Sequence, residues 1–282
     1  MSFIDFVAKR ERKKVDNIIC HQMPIYKDNV KTNIIKYGEG ENQFIWTFTP
    51  EEYDNIIVNI HGGGLIAGQV SQNRNLCLSL TEKKCKVYSI EYDLVPEVSI
   101  YDQINEIFQA LSFIKIDPER KGKTFLVADS AGALLGLIVN AGLRNPFARE
   151  NWKIHWNIKD FHFDGCYFQS GMFDLVGFFN PISWLMCPHY FKTKNWREEK
   201  AYKYLRHLSL LTIYLPNTIL ATTAGDFKRK DSLKLSKYDF SNNISLIDSK
   251  TEELKHAELA LYPLNNISRD INSKAIDLLI FN

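Results

Sequence analysis

Two short motifs in this chain carry residue types that could perform acyl transfer. A histidine and three glycines at 61–64 follow the apolar run 56–60, and the sequence Asp-Ser-Ala-Gly at 129–132 follows the apolar run 125–127. A serine hydroxyl that attacks a carbonyl carbon creates an oxyanion, which backbone N–H groups must stabilise. The two motifs therefore predict a nucleophile and an oxyanion hole, each at the end of a strand.

The serine of the second motif lies where a sharp strand-to-helix turn is expected. Such a turn is strained and leaves room only for small neighbours, and Ser130 has Ala128 before it and Gly132 after it. The usual pattern is Gly-x-Ser-x-Gly, and Ala128 adds only a methyl group to it. Ser-Ala-Gly also occurs at plain helix starts, but the strand before it and the alanine-rich segment after it favour Ser130 as a nucleophile.

The histidine and the acid that would activate this serine are expected later in the chain. In enzymes with such a turn, the acid and then the histidine follow the serine, on loops after late strands. Asp226 and His256 each follow one of the last two apolar runs. We therefore predict His256 as the general base and Asp226 as the acid that orients it, with Asp231 as the competing acid. His61 is expected to brace its glycine-rich loop.

The apolar runs between these motifs predict the fold. The expected strands are 43–48, 55–60, 86–92, 124–128, 163–169, 218–223 and 244–247. Apolar residues recur at helical spacing in 103–114, 131–143 and 273–281. The alternation of strand and helix predicts an α/β fold with a mostly parallel central sheet, helices on both faces, and a single domain over 1–282.

One stretch, 172–196, departs from this alternation because it is rich in aromatic residues and is broken by two prolines. Two interpretations remain open: a small satellite core under a long connection, or a cap that forms the wall of an apolar substrate pocket. On the second interpretation, we predict that Phe173, Phe178 and Trp184 line that pocket.

These motifs resemble those of the hormone-sensitive-lipase-like esterases. The resemblance rests on 61–64, on 129–132, and on Glu-Tyr-Asp-Leu-Val-Pro-Glu at 91–97, which is similar to the family's Asp-Tyr-Arg-Leu-Ala-Pro-Glu. It covers the chain from about residue 43 onward and implies an α/β-hydrolase fold. Three features depart from the family pattern: Ala128 replaces a glycine, the spacing from Asp226 to Asp231 is one residue longer than in the family's Asp-x-Leu-x-Asp, and Ala257 follows His256 where a glycine is common.

The resemblance also implies an activity. Ser130, His256 and Asp226 would be the catalytic residues, and the amides of Gly63, Gly64 and Ala131 the oxyanion hole. The leading hypothesis is a carboxylesterase that acts on short-chain or small aromatic esters and needs no metal or organic cofactor. An amidase or peptidase with the same residues is the alternative, and a third hypothesis is a silent binding protein that retains the fold.

Composition restricts the remaining partners. The formal charge is only +2, and basic residues are scattered apart from 9–14, so a nucleic-acid partner is not expected. The basic stretch predicts a solvated helix face, with a contact to a membrane or an anion as the alternative. The chain shows neither a signal-peptide pattern nor a membrane-spanning run, and its five cysteines lack metal-ligand spacing, so we expect reduced thiols and a cytoplasmic location. Oligomeric state, including a homodimer, is left open.

Overall fold

The computed structural model describes residues 3–175, 181–205, 207, 209–212, 215–238 and 242–281. Its centre is an eight-stranded sheet in the order β1-β2-β4-β3-β5-β6-β7-β8. The strands are β1 (Val30–Lys36), β2 (Phe44–Pro50), β3 (Asn55–Ile60), β4 (Cys85–Ile90), β5 (Thr124–Asp129), β6 (Gly165–Gln169), β7 (Asn217–Thr223) and β8 (Ile244–Ser249). β2 pairs antiparallel with β1 and with β4, and every other pairing in the sheet is parallel.

Helices connect the strands and cover the sheet. They are α1 (Phe3–His21), α2 (Arg74–Leu80), α3 (Ile100–Ile116), α4 (Ser130–Arg144), α5 (Pro146–Asn151), α6 (Pro181–Tyr190), α7 (Lys200–Leu205), α8 (Ser209–Thr212), α9 (Arg229–Leu235), α10 (Glu258–Leu261) and α11 (Asn266–Phe281). The longest helix after α1 begins at a capping box, in which the Ser99 hydroxyl accepts from the Asp102 amide and the Asp102 carboxylate accepts from the Ser99 amide. This pairing satisfies two of the backbone donors at the start of α3.

The sheet is buried on both faces, as the alternation of side chains along β3 shows. Ile56, Val58 and Ile60 belong to the apolar cluster that includes α3 and α4. Ile57 points the other way, into the cluster that includes α2 and α11. A parallel sheet covered by helices on both faces needs strands that are apolar throughout, which explains the continuous apolar runs in the sequence. The predicted α/β fold is confirmed.

Two elements at the amino-terminal end were not among the predicted strands and helices. Six of the seven residues of β1 are exposed, so this edge strand lacks the apolar run by which the others were recognised. Only the basic part of α1 was interpreted, as a solvated helix face, whereas Ile4 and Ala8 on the same helix are buried. The missed helix proves to be part of the site described below.

The parallel strands place the predicted site residues at one edge of the sheet. The loop 61–64 follows β3, Ser130 follows β5, Asp226 follows β7 and His256 follows β8. The carboxyl ends of parallel strands lie at the same edge, where loops from distant parts of the chain meet. We therefore expect the active site at this edge of the sheet.

Candidate active site

Ser130 occupies a strained turn between β5 and α4. Its φ is +49°, a backbone conformation that residues other than glycine rarely adopt, and it is the first residue of the helix. Gly132 explains the need for small neighbours, because a Cβ there would lie 2.3 Å from the carbonyl oxygen of Ile60. The methyl group of Ala128 is completely buried. The turn is thus the sharp strand-to-helix turn that the sequence predicts.

Three side chains form a continuous hydrogen-bonded chain at this edge. The Oγ atom of Ser130 lies 2.8 Å from Nε2 of His256, and Nδ1 of His256 lies 2.8 Å from Oδ1 of Asp226. The Asp226 carboxylate accepts the Nδ1 hydrogen, which leaves Nε2 free to accept the serine proton. The structure therefore brings together the three residues that the sequence order singles out, in the geometry of a nucleophile, a base and an orienting acid.

The surroundings of Asp226 keep it ionised. Burial raises its pKa, but hydrogen bonds from His256 and from the Lys228 amide outweigh burial, and the net effect is a pKa below the ordinary value. Asp231, the competing acid, accepts instead from the Asp174 amide, and burial raises its pKa. Only Asp226 contacts the histidine, so the geometry favours Asp226 over Asp231.

The glycine-rich loop after β3 supplies backbone donors next to the serine. Gly63 and Gly64 have φ values of +126° and +66°, and a Cβ on Gly63 would lie 2.0 Å from the carbonyl oxygen of Ala67. Within the described part of the chain, neither Gly63 nor Gly64 donates its amide hydrogen to another residue. The amide of Ala131 belongs to the first turn of α4, where N–H groups have no acceptor within the helix. All three amides are therefore available to an oxyanion.

The buried side chain of His61 supports the glycine-rich loop. Its side chain is fully buried, with Nε2 lying 3.1 Å from Oε1 of Glu91 and Nδ1 lying 2.8 Å from the carbonyl oxygen of Gly62. The ring stacks on Tyr92 at 4.3 Å, and the Tyr92 hydroxyl donates to the His61 carbonyl. Both ring nitrogens of His61 thus contact groups other than the Ser130 hydroxyl, which agrees with the expected bracing role.

Asp129 is a site residue whose role sequence reasoning missed. Its Oδ1 accepts from the Gly62 amide at 3.0 Å and from Nδ2 of Asn73 at 2.7 Å, and burial raises its pKa. A Cβ on Gly62 would lie 2.4 Å from Oδ2 of Asp129. The residue next to the nucleophile thus fixes the loop of the oxyanion hole. Its position beside Ser130 gave a signal, but its partners are distant in sequence.

A cavity of about 580 Å³ opens above Ser130. Helix α1 contributes to its lining Phe3, Phe6, Val7, Val15 and Ile18. The segment 172–190 contributes Met172, Leu175, Met186 and Tyr190. The cap predicted at 172–196 therefore shares the lining of this cavity with α1, which was not predicted to take part in it.

The three aromatic residues predicted for the pocket have different outcomes. Phe173 is fully buried and packs edge-on against Phe168, with ring centroids 5.9 Å apart, and it does not line the cavity. Phe178 lies outside the described residues. Trp184 belongs to α6, but its side chain is also outside the described part. For Phe173, the satellite-core interpretation is therefore the appropriate one, because its ring fills space between the sheet and the connection.

Besides the phenylalanines of α1, another aromatic residue of the cavity was not predicted. Phe227 lines the cavity and is 75% exposed, and its ring centroid lies 4.5 Å from that of His256. Its place directly after Asp226 was the available signal. An exposed phenyl ring beside a base can contact a bound substrate.

The described residues hold no cluster of histidine, cysteine or acidic side chains suited to a metal ion. They also include no helix that is both long and apolar enough to cross a bilayer.

A family model described as the α/β-hydrolase fold matches residues 57–154, which contain both glycine-rich motifs. Neutral cholesterol ester hydrolase 1 of Rattus norvegicus is 35% identical to the chain over 91 residues. That match covers 28% of this chain and 22% of the rat protein, so the chain aligns with only about a fifth of the length of this curated relative.

Solved structures extend the similarity to the whole fold. Esterase B of Lactobacillus rhamnosis superposes with a TM-score of 0.83 at 18% identity, covering 98% of this chain and 94% of that chain. The esterase of Pyrobaculum calidifontis gives a TM-score of 0.68 at 17% identity, covering 99% and 93%. At such identities the superpositions show the fold alone. Together with the family model and the rat protein, they confirm the resemblance indicated by the motifs.

Proposed function

We propose that this chain, an α/β-hydrolase of the esterase and lipase type, is a serine carboxylesterase that cleaves short-chain or small aromatic esters. The observation that carries the proposal is the chain of two 2.8 Å hydrogen bonds from Ser130 through His256 to Asp226, beneath an apolar cavity. Nucleophile, base and acid at such distances are what acyl transfer by a serine requires.

In the first step, His256 accepts the hydroxyl proton of Ser130 as the oxygen attacks the ester carbonyl carbon. Asp226 holds the ring in the tautomer that leaves Nε2 unprotonated, and its carboxylate stabilises the imidazolium that forms. The carbon–oxygen bond of the ester then breaks. His256 returns the proton to the leaving alkoxide, which departs as the alcohol and leaves an acyl group on Ser130.

The negative charge of the tetrahedral intermediate falls on the former carbonyl oxygen. The amides of Gly63, Gly64 and Ala131 are the donors we assign to it, and each such donor contributes about 3 kcal/mol to the stability of the transition state. In the second step, a water molecule loses a proton to His256 and attacks the acyl carbon. The carboxylic acid leaves, and the serine is restored.

The walls of the cavity support the substrate class. They are largely apolar, and their volume of about 580 Å³ lies within the range of small-molecule sites, so a small ester is a better match than a polymer. Two structures of Esterase B of Lactobacillus rhamnosis are of inhibited forms, one of them with a C4-C4 tributyrin phosphonate. That inhibitor belongs to a protein of similar fold, and it motivates short acyl chains as the first substrates to try.

The test is hydrolysis of p-nitrophenyl esters from acetate to laurate by the parent protein and by Ser130→Ala. We expect the parent to prefer short chains and the variant to lose at least about 10⁴-fold in kcat. Ser79→Ala, at a serine whose hydroxyl donates to a helical carbonyl, is the matched control and should retain full activity.

Two further measurements separate the proposal from its alternatives. Turnover of the matched p-nitroanilides faster than of the esters would identify an amidase. A fluorophosphonate probe that fails to label Ser130, together with no ester turnover, would identify a silent binding protein and refute the proposal.

A further inference from the structure

The exposed side of α1 carries two phenylalanines and several cations in one stripe. Phe3, Phe6, Arg10, Lys13 and Asn17 recur at alternating intervals of three and four residues, which places them on one face of the helix. All five are exposed, and the two phenyl residues are each 58% exposed. Exposed aromatic side chains on a helix that also buries an apolar face call for an explanation.

Positive charge is in excess on this side of α1. Lys9 and Lys14 flank the stripe and are exposed, so four cations lie there. Glu11 accepts from both Arg10 and Lys14 on the side that faces the cavity, and the exposed Asp5 and Asp16 border a groove that Lys9 and Lys13 also line. The five lysines and arginines of α1 still outnumber its three carboxylates, which leaves the helix basic. An anionic surface is therefore the complementary partner.

The stripe continues into the mouth of the catalytic cavity. Phe3, Phe6, Arg10 and Lys14 line this cavity as well as the outer face. Phe227, 75% exposed, lies on the same cavity next to His256. A partner that binds to the stripe would therefore also lie against the mouth of the cavity, through which an ester must reach Ser130.

The position of α1 is fixed relative to the oxyanion loop. The guanidinium of Arg12 donates to the carbonyl oxygens of Ile66 and Val95 and forms two hydrogen bonds to the Glu97 carboxylate, at 2.8 and 2.6 Å. Ile66 belongs to the loop that follows the glycines of the oxyanion hole. The hydrogen bonds of Arg12 therefore hold α1 against the loop next to the oxyanion hole.

We propose that the exposed stripe of α1 docks the protein on an anionic lipid surface and presents the cavity mouth to esters in that surface. Basic side chains combined with aromatic ones on a helix that is too polar to cross a bilayer are what interfacial binding requires. Because only two phenyl groups are available to insert, attraction to anionic headgroups supplies much of the binding. This proposal rests on the proposed function for its substrate.

The test measures docking without catalysis. Purified Ser130→Ala protein is floated with vesicles of phosphatidylcholine alone and with vesicles containing one third phosphatidylglycerol. We expect binding to the mixed vesicles, several-fold less binding to neutral vesicles, and loss of binding at high salt. The double change Lys9→Glu and Lys13→Glu in this background should reduce binding at least about tenfold.

Matched controls use other exposed residues of the same type. Lys31→Glu with Lys274→Glu, on β1 and α11, makes the same change in net charge and should alter binding less than about twofold. Phe6→Ser should weaken binding, whereas Phe147→Ser, at a phenylalanine that is 71% exposed on α5, should not. Circular dichroism checks that each variant is folded.

Equal binding to neutral and anionic vesicles, or a stripe variant that binds like its control, overturns the docking proposal. A concentration-dependent dimer that the Phe6→Ser change dissociates would identify a second copy of the chain as the partner instead, and would also overturn it. Hydrolysis of soluble p-nitrophenyl esters by the Lys9→Glu, Lys13→Glu enzyme should equal that of the parent. Ester hydrolysis by the parent enzyme, together with no binding of the Ser130→Ala protein to mixed vesicles, would remove the docking proposal and leave the esterase intact.

Discussion

Two of the histidine–carboxylate pairs in the described part of this molecule differ in almost everything except composition. His61 and Glu91 are 3.1 Å apart, and His256 and Asp226 are 2.8 Å apart. The His61 side chain is 0% exposed, whereas that of His256 is 19% exposed and faces the cavity. The same two functional groups therefore occur once in the core and once beside a serine.

The second ring nitrogen explains the difference in role. In His61 it faces the carbonyl oxygen of Gly62, which can only accept, so both nitrogens of this ring face acceptors. The His61 ring can donate to both acceptors only if each of its nitrogens carries a proton, which is one proton more than a neutral ring holds. In His256 the second nitrogen faces the Ser130 hydroxyl, which can donate, so a neutral ring satisfies its surroundings. The first arrangement suits a brace, and the second suits a base.

The largest expected effect follows from removing the exposed histidine. His256→Ala should lower kcat by at least about 10⁴-fold, because among the described residues His256 is the one whose side chain lies within hydrogen-bond distance of the Ser130 hydroxyl, while the free energy of unfolding changes by less than about 1 kcal/mol. Steady-state ester hydrolysis and urea unfolding measure the two quantities. Retained activity would show that another residue acts as the base.

The next effect distinguishes the two candidate acids. Asp226→Asn should lower kcat by about 10³- to 10⁴-fold, because the amide no longer selects the tautomer with a free Nε2. Asp231→Asn should stay within about tenfold of the parent, since its carboxylate accepts from the Asp174 amide and does not contact the histidine. The reverse outcome would assign the acid to Asp231. Fluorophosphonate labelling rates give a second readout of serine reactivity.

Removing the buried histidine should affect folding more than chemistry. His61→Ala leaves a Glu91 oxygen buried without its partner and removes the stacked ring from Tyr92, so we expect a loss of about 3 kcal/mol of stability. Activity should fall by about 10- to 100-fold as the oxyanion loop loosens. A third pair, His162 with Asp164 at 3.5 Å, is largely exposed, and His162→Ala should change neither quantity.

The sequence could single out Ser130, Asp226 and His256, which the structure brings together, because each has a local signature. Ser130 lies in a strand-turn-helix pattern, and Asp226 and His256 each follow an apolar strand. The roles of Asp129 and Glu91 were not predictable in this way. Asp129 contacts Gly62, and Glu91 contacts His61 and the Val70 amide, and no local spacing encodes these pairings.

The fold shows the same division between local and distant information. Buried strands such as β3 and β5 carry continuous apolar runs, whereas β1 is an exposed edge that pairs only with β2. The cap was only partly predicted, because the Phe3 and Phe6 side chains of α1 belong to the cavity through a tertiary contact. Periodicity reveals that a helix has two faces, but not which cavity one of them lines.

The smallest expected effect is a change in how the free energy of unfolding depends on pH. It tests whether the buried His61, paired with Glu91, carries a proton on both ring nitrogens. Burial alone lowers the pKa of His61, but the Glu91 carboxylate outweighs burial and raises that pKa above its ordinary value of 6.5. A raised pKa means that the folded state binds more protons than the unfolded state. The pair therefore stabilises the fold fully below pH 6.5, and this contribution disappears as the pH rises through the raised value.

Glu91→Gln should remove this dependence while keeping the contacts. The amide oxygen can accept from the Val70 amide, and the amide nitrogen can donate to Nε2 of a neutral His61. We expect the parent to be more stable than the variant at pH 5.5 by about 1 kcal/mol or more, and the difference to shrink at pH 9. Ester hydrolysis should stay within about threefold of the parent. A stability difference that is the same at both pH values would show that His61 does not carry the additional proton, and the contrast with His256 would then rest on burial alone.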